Sequence, residues 1–385
     1  MILAFGLICI ILLSSIISIE LGISVTIIEI IMGVILGNTI HPITPEWMNF
    51  LASIGAVLLT FLAGAEVDLE TLRTKGKESL LIGLLSFLAP FVTAFLFCLY
   101  IINWPLNAAL IGGIALSTTS VAVVYSVLVE SGLNKTELGK IIMASCFITD
   151  LGTVLALTLV FSQYSMKSLV FLVGSVVIIG AVPWLLRKTL ERYEEKLVQP
   201  DLKIILAALF AIMVIAEIGQ GQSVLPAFIL GLCLSGTFSQ KPALPAKLRT
   251  IAFAILTPFF FLKAGMNVSV TALSSQLVLL GVLLLVKVGS KCVGVYPLAH
   301  RYIPANSMFT TLLMSTGLTF GTISAMFGLN NGYIDKSQFS LLVTVVIASA
   351  IIPTFIAQKW FQPDDILGED EEKAATEPLF SEAVV

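Results

Sequence analysis

The sequence predicts an all-α, polytopic membrane protein, and three observations carry that prediction. First, the 385 residues are 57% hydrophobic and only 12% charged, about half the charged share of a soluble domain. Second, the apolar residues gather into about thirteen runs near the length of roughly 20 residues that a bilayer-crossing helix needs. Third, the 21 lysines and arginines fall almost entirely into alternate loops, the bias expected of a chain threaded repeatedly through a membrane.

The runs centre near residues 11, 31, 56, 90, 117, 150, 177, 209, 229, 258, 284, 317 and 346. The N-terminus has no basic region and no small-residue cleavage site, so the first run reads as a retained helix rather than a signal peptide. Pro105, Pro200, Pro242, Pro245 and Pro304 fall between runs, where proline disrupts least. The stretch 205–237 is cut at Gly219–Gln222. Residues 364–385 are acidic and polar and read as a disordered tail with no soluble regulatory domain after it. With the C-terminus placed in the cytoplasm, sixteen basic residues lie inside, among them Arg73, Lys75, Lys77, Lys140, Arg187 and Arg249. Only Lys167 and Lys336 lie outside, which puts the N-terminus outside a plasma membrane. The charged connection Arg187–Lys203 follows the seventh run, is partly helical in pattern (Glu191, Arg192, Glu194, Glu195, Lys196) and reads as a solvated cytoplasmic linker between two halves.

Composition also excludes. A net charge of −3 with no basic block argues against a nucleic-acid partner. Cys9, Cys98, Cys146, Cys233 and Cys292 sit singly in apolar runs, and His41 and His300 lie far apart. Neither a disulfide framework nor a zinc site is indicated, and no cofactor is expected. No clustered nucleophile or metal motif points to an enzyme, so lipid is the partner that composition implies.

Two runs carry polar interruptions. The fifth reads Ser117–Thr118–Thr119–Ser120, and the twelfth reads Ser315–Thr316–Gly317–Leu318–Thr319. Short hydroxyl side chains compete for backbone hydrogen bonds and weaken a helix. Backbone that unwinds at membrane depth survives only against protein or a wet cavity. The fifth and twelfth runs are the middle members of units 4–6 and 11–13, which are offset by an odd number of crossings. The two units therefore enter the membrane from opposite sides, an inverted repeat whose discontinuous helices would meet at the midplane. Small residues for helix packing would explain either segment alone.

Asp150 stands in the apolar run from Ile141 to Phe161. An ionisable group at that depth costs roughly 2.5–3.5 kcal/mol on insertion scales, so it is kept where it is paired, wet or functional. Low dielectric disfavours a bare carboxylate, and either a proton or a small cation neutralises it, which makes one group fit for exchange. Thr149, Thr119, Ser120 and the carbonyls of a broken helix are candidate oxygen ligands for a monovalent cation at Asp150. The inverted counterpart, 33 residues after Ser315, is Ala348 beside Ser349, which predicts one asymmetric site. Lys287 and Lys291 lie one turn apart on the eleventh run, and either is placed to neutralise Asp150 or the ends of the broken helices. Snorkelling to the cytoplasmic surface is the alternative for them if that run ends near Leu298. Lys263, near the outer end of the tenth run, reads as structural. Glu29 and Glu217, also in apolar runs, read as packing or cavity-edge groups. Glu137 and Asp68 read as solvated loop charges.

In order and spacing these features resemble the monovalent cation/proton antiporter superfamily, in its branch of bacterial sodium/proton and Kef-type potassium/proton antiporters. The resemblance spans nearly all of 1–360. It rests on Glu29–Gly37, Phe61–Asp68, the Thr119–Ser120–Val121 break, Thr149–Asp150, Pro258–Gly265 and the Ser315–Gly321 break. It implies the sodium/proton antiporter fold with two crossed discontinuous helices. The expected division is dimerising helices in 1–75 and 204–268, ion-transport core in 78–162 and 272–360, a linker in 167–203 and the tail 364–385. It implies a homodimer, an ion-binding role for Asp150, and Lys291 rather than Lys287 as the core lysine, because Gly294 follows it by three positions. A separate cytoplasmic regulatory subunit is left open. Electrogenic members that resemble this chain have two adjacent acids, the first paired with that lysine. Here Thr149 stands first, which predicts electroneutral exchange of Na⁺ or K⁺ for H⁺. A sodium-coupled organic-anion symporter of similar fold is the competing expectation.

Overall fold

The computed structural model describes residues 2–21, 24–40, 44–67, 75–133, 136–161, 166–193, 199–219, 223–241 and 243–363. Asp68, His41, Arg73 and the tail 364–385 lie outside them.

Helices α1 (Ile2–Leu21), α2 (Val25–Thr39) and α3 (Glu46–Ala65) open the chain. α4 (Gly76–Leu96) runs into a π-helical turn at Phe97–Ile101. The fifth predicted run is two helices, α5 (Leu106–Ser117) and α6 (Val121–Glu130), followed by α7 (Glu137–Phe161) and α8 (Met166–Tyr193). α9 (Pro200–Gly219) and α10 (Val224–Gln240) come next. The tenth run is α11 (Ala243–Ile251), a π turn at Ala252–Leu256, and α12 (Thr257–Met266). A short α13 (Val270–Ser274) leads to α14 (Leu277–Tyr302). The twelfth run is again two helices, α15 (Ser307–Met314) and α16 (Thr319–Asn330), and α17 (Lys336–Trp360) closes the fold.

Among the described residues, eleven helical stretches are long and apolar enough to cross a bilayer. The expected thirteen is therefore not established, because α2 and α10 reach only 15 and 17 residues. α2 stops early where Asn38 Nδ2 donates to Val34 O and to Val268 O, both at 2.8 Å, tying its end to the start of α13. The seventh run differs in the other direction. α8 carries on for 28 residues through Arg187, whose Nε meets Glu191 at 3.2 Å one turn later, so the first part of the charged connection is helix. The cut in 205–237 falls between Gly219 and Ser223, where expected.

Outward faces are apolar: Phe5, Ile19, Val278, Leu285 and Val293 are all exposed, as lipid-facing residues are in a fold whose backbone groups are satisfied within helices. Without a strong hydrophobic drive between helices in lipid, small residues let backbones approach. Gly64 on α3 lies under Phe228 O, and Gly231 on α10 lies under Phe61 O, so any side chain at either would strike the opposite backbone. Gly33 and Gly265 set α2 against α12 in the same way.

Two large apolar clusters result. One joins α5, α7, α14, α16 and α17 through residues such as Ile114, Val154, Leu283, Phe320 and Val346. The other joins α3, α8, α9, α10 and α11 through Leu58, Leu186, Leu209, Leu230 and Leu248. Of the broken helices, α5 and α16 pack in the first cluster, while α15 and most of α6 pack in a third with α7 and α14.

Candidate ion-exchange site

Both helix breaks form where hydroxyl residues turn back on their own carbonyls. Ser117 Oγ donates to Ile114 O at 2.8 Å and Thr118 Oγ1 to Ala115 O at 3.0 Å, and α5 ends there. Ser315 Oγ donates to Thr311 O and Thr316 Oγ1 to Leu313 O, each at 2.8 Å, and α15 ends there. Side-chain competition for backbone groups is the reason.

The two breaks also touch. Thr119 Oγ1 donates to Met314 O at 3.0 Å, and the Ser120 N–H donates to Thr316 Oγ1 at 3.3 Å. Gly317 sits directly beside Lys287 Nζ, Thr118 Oγ1 and Thr118 O, so a Cβ at this position would displace the Lys287 ammonium and press on Thr118. All of Ser117, Thr118, Thr119, Ser120, Ser315 and Thr316 are buried.

Both lysines of α14 are fully buried, and the helix extends to Tyr302. The snorkelling alternative therefore fails: neither side chain is near a helix end. They have different partners. Lys287 Nζ donates to Thr118 O at 3.3 Å, meeting a carbonyl released by the first break. Lys291 Nζ donates to Ser86 Oγ at 2.8 Å and to Thr119 Oγ1 at 2.9 Å. Ser86, on α4, was not singled out in the sequence; a lone serine in an apolar run carries no signal until its partner is known.

Asp150 is 1% exposed, and its Oδ1 has no hydrogen-bond partner. It forms no ion pair with either lysine among the described residues. Such a group is costly unless something neutralises it. It lines a cavity of about 330 Å³ with Thr119, Tyr125, Thr319, Phe320, Glu66 and Arg249. Of the four candidate ligands, Asp150 and Thr119 line this cavity. Thr149 instead donates to Gly83 O at 3.2 Å and to Ser145 O at 3.0 Å, facing α4. Ser120 Oγ accepts from the Val123 N–H at 3.5 Å, capping α6.

The other intramembrane charges separate by exposure. Glu29 is buried at 2%, Lys263 is half-buried, and Glu217 is exposed on α9, so its expected packing role does not hold. Glu137 is a solvated charge as expected, though in the first turn of α7 rather than a loop, and it pairs with Lys75 at the surface. At the cavity's edge Arg249 Nη2 and Nε meet Glu66 Oε1 at 2.8 and 2.9 Å.

Residues 7–361 match the family described as sodium/hydrogen exchanger, transmembrane. The chain belongs to that family. A probable Na⁺/H⁺ antiporter of Methanocaldococcus jannaschii is 30% identical over 82% of this exchanger and 84% of its own length. The Na⁺/H⁺ antiporter of Enterococcus hirae is 28% identical over 91% and 96%. The Na⁺/H⁺-K⁺ antiporter GerN of Bacillus cereus is 25% identical over 87% and 89%. The solved structure of the sodium proton antiporter MjNhaP1 from Methanocaldococcus jannaschii covers 94% of this exchanger and 99% of its own chain, with a TM-score of 0.69 at 15% identity. The exchanger thus has the sodium/proton antiporter fold, is a multi-pass membrane protein, and is a transporter rather than an enzyme. The resemblance drawn from the motifs is borne out.

Proposed function

We propose that this exchanger carries out one-for-one, electroneutral exchange of a monovalent cation, Na⁺ or K⁺, for H⁺, with the two competing for Asp150. One observation carries the reading: Asp150, whose Oδ1 is buried without a hydrogen-bond partner, lines a cavity beside two helix breaks that touch. Either ligand removes the charge, and the neutralised core can then pass an apolar barrier that the bare carboxylate cannot. Thr119, on the cavity wall, is the hydroxyl best placed to serve the cation as a further oxygen. Lys287 holds the crossing by its bond to Thr118 O and counters the negative end of the α5 dipole.

Electroneutrality rests on Lys291. Its ammonium is held by two neutral hydroxyls rather than a second carboxylate, so Asp150 is the one acid in the described crossing that changes state. The cavity lies between α3 and α11 on one side and α6, α7 and α16 on the other, an arrangement that suits alternating access by movement of one set against the other. The lysine and arginine bias supports an orientation with the end of α3 cytoplasmic, and the plasma membrane is the location proposed with it. Exposed apolar α1 supports contact with lipid or with a second copy in a homodimer.

Proton flux into liposomes, driven by Na⁺, K⁺ or Li⁺ gradients in turn, tests the reading. Flux with Na⁺ or K⁺ that ignores an imposed membrane potential is expected. A rate that follows the potential would refute one-for-one exchange, and co-transport of an organic anion with Na⁺ would favour the symporter.

A further inference from the structure

We infer that the Glu66–Arg249 ion pair sets the apparent cation affinity of the site from the wall opposite Asp150, with Arg249 acting as a tethered cation that holds Glu66 in check. The inference rests on Asp150 as the exchange site and goes beyond it. Both charges line the same cavity of about 330 Å³ that Asp150 opens into. Glu66 follows the last residue of α3, and Arg249 comes from α11, so the pair stands on helices other than those that carry the breaks. The guanidinium engages Glu66 Oε1 through both Nη2 and Nε. Glu66 and Arg249 keep 29% and 48% of their side-chain surface exposed, so neither partner is sealed within the protein. A cation arriving at Asp150 passes within the field of both.

With Asp150 ionised, the three charges sum to −1 (Asp150 −1, Glu66 −1, Arg249 +1). Arg249→Gln makes that −2, and Glu66→Gln makes it 0. A sphere of this volume is about 9 Å across, and a unit charge acting over that distance at intermediate effective dielectric changes affinity roughly three- to tenfold once screened. The two single variants move affinity in opposite directions, and the double variant, again at −1, returns to the starting value.

The test is the KM for Na⁺ of reconstituted wild type, Glu66→Gln, Arg249→Gln and the double variant, at low ionic strength and at one alkaline pH at which KM no longer depends on proton concentration, because a neighbouring charge shifts the affinities for Na⁺ and H⁺ alike and their competition would hide it. The expected order is Arg249→Gln lowest, wild type and double variant together, Glu66→Gln highest, with the spread shrinking in high salt. If both single variants shift KM the same way, or neither does, the inference is overturned and the pair is a structural tie. Should one single variant fail to fold, the other decides: a KM shifted in the stated direction at low salt and shrinking in high salt supports the inference, and an unchanged KM defeats it. Asp150→Asn in the same preparation separates the two claims. If it keeps full flux, the reading of Asp150 has failed; if it alone loses flux while the four KM values coincide, only the inference has.

Discussion

Thr149 shows how a residue can be read correctly in type and incompletely in place. Its position before Asp150 was legible, and so was the absence of a second acid, but not the direction of its hydroxyl. That hydroxyl satisfies Gly83 O and Ser145 O, and nothing in a sequence tells which neighbouring carbonyl a buried threonine will meet. A carboxylate has no proton to donate there, so Thr149→Asp should lose about 1–3 kcal/mol of stability, read as a lowered unfolding midpoint in detergent. A midpoint equal to wild type would show the contact to be idle. Gly317 gives the sharper local prediction. A Cβ there collides with Lys287 Nζ and Thr118, so Gly317→Ala should cut exchange at least tenfold, with the protein still recovered as a folded species. Wild-type flux in that variant would contradict the packing described for the crossing.

At the scale of elements, both helix breaks were visible because four hydroxyl residues in a row (Ser117–Ser120), or two followed by a glycine (Ser315–Gly317), are a local chemical signal. The π turn at Ala252–Leu256 was not, since its own residues are ordinary apolar ones; it stands just before Pro258, which has no N–H to give a carbonyl one turn back, and Gly55 on α3 packs against Leu256 O. The continuation of α8 to Tyr193 agrees with the partly helical pattern of the charged connection, in which Arg187 and Glu191 pair at four-residue spacing. The close approach of α3 and α10 depends on paired glycines, and this pairing is what a long-range contact hides from sequence. Gly231→Leu should therefore separate the two helices and destabilise the protein by at least about 2 kcal/mol, the scale of overpacking in a tight contact. Thermal unfolding in detergent measures it, and an unchanged midpoint would mean that the helices are free to part.

For the whole molecule, composition and the lysine–arginine bias were enough to predict a many-helix membrane protein, since both follow from the cost of burying charge in lipid. Relative placement was the part left unread. Arg249 counted only as a loop charge, yet the fold brings it into one cavity with Glu66 and Asp150 across 183 residues of chain between the paired partners. Lys291 had lost its expected acid in sequence, and the fold supplies Ser86 and Thr119 instead. What unites these pieces is a single exchangeable charge. The most direct measurement is cation-driven proton flux in proteoliposomes containing wild type or Asp150→Asn at equal amounts. The account predicts flux for wild type and a fall of at least a hundredfold for Asp150→Asn, with Na⁺, K⁺ and Li⁺ alike. Full cation-driven flux in Asp150→Asn would contradict it.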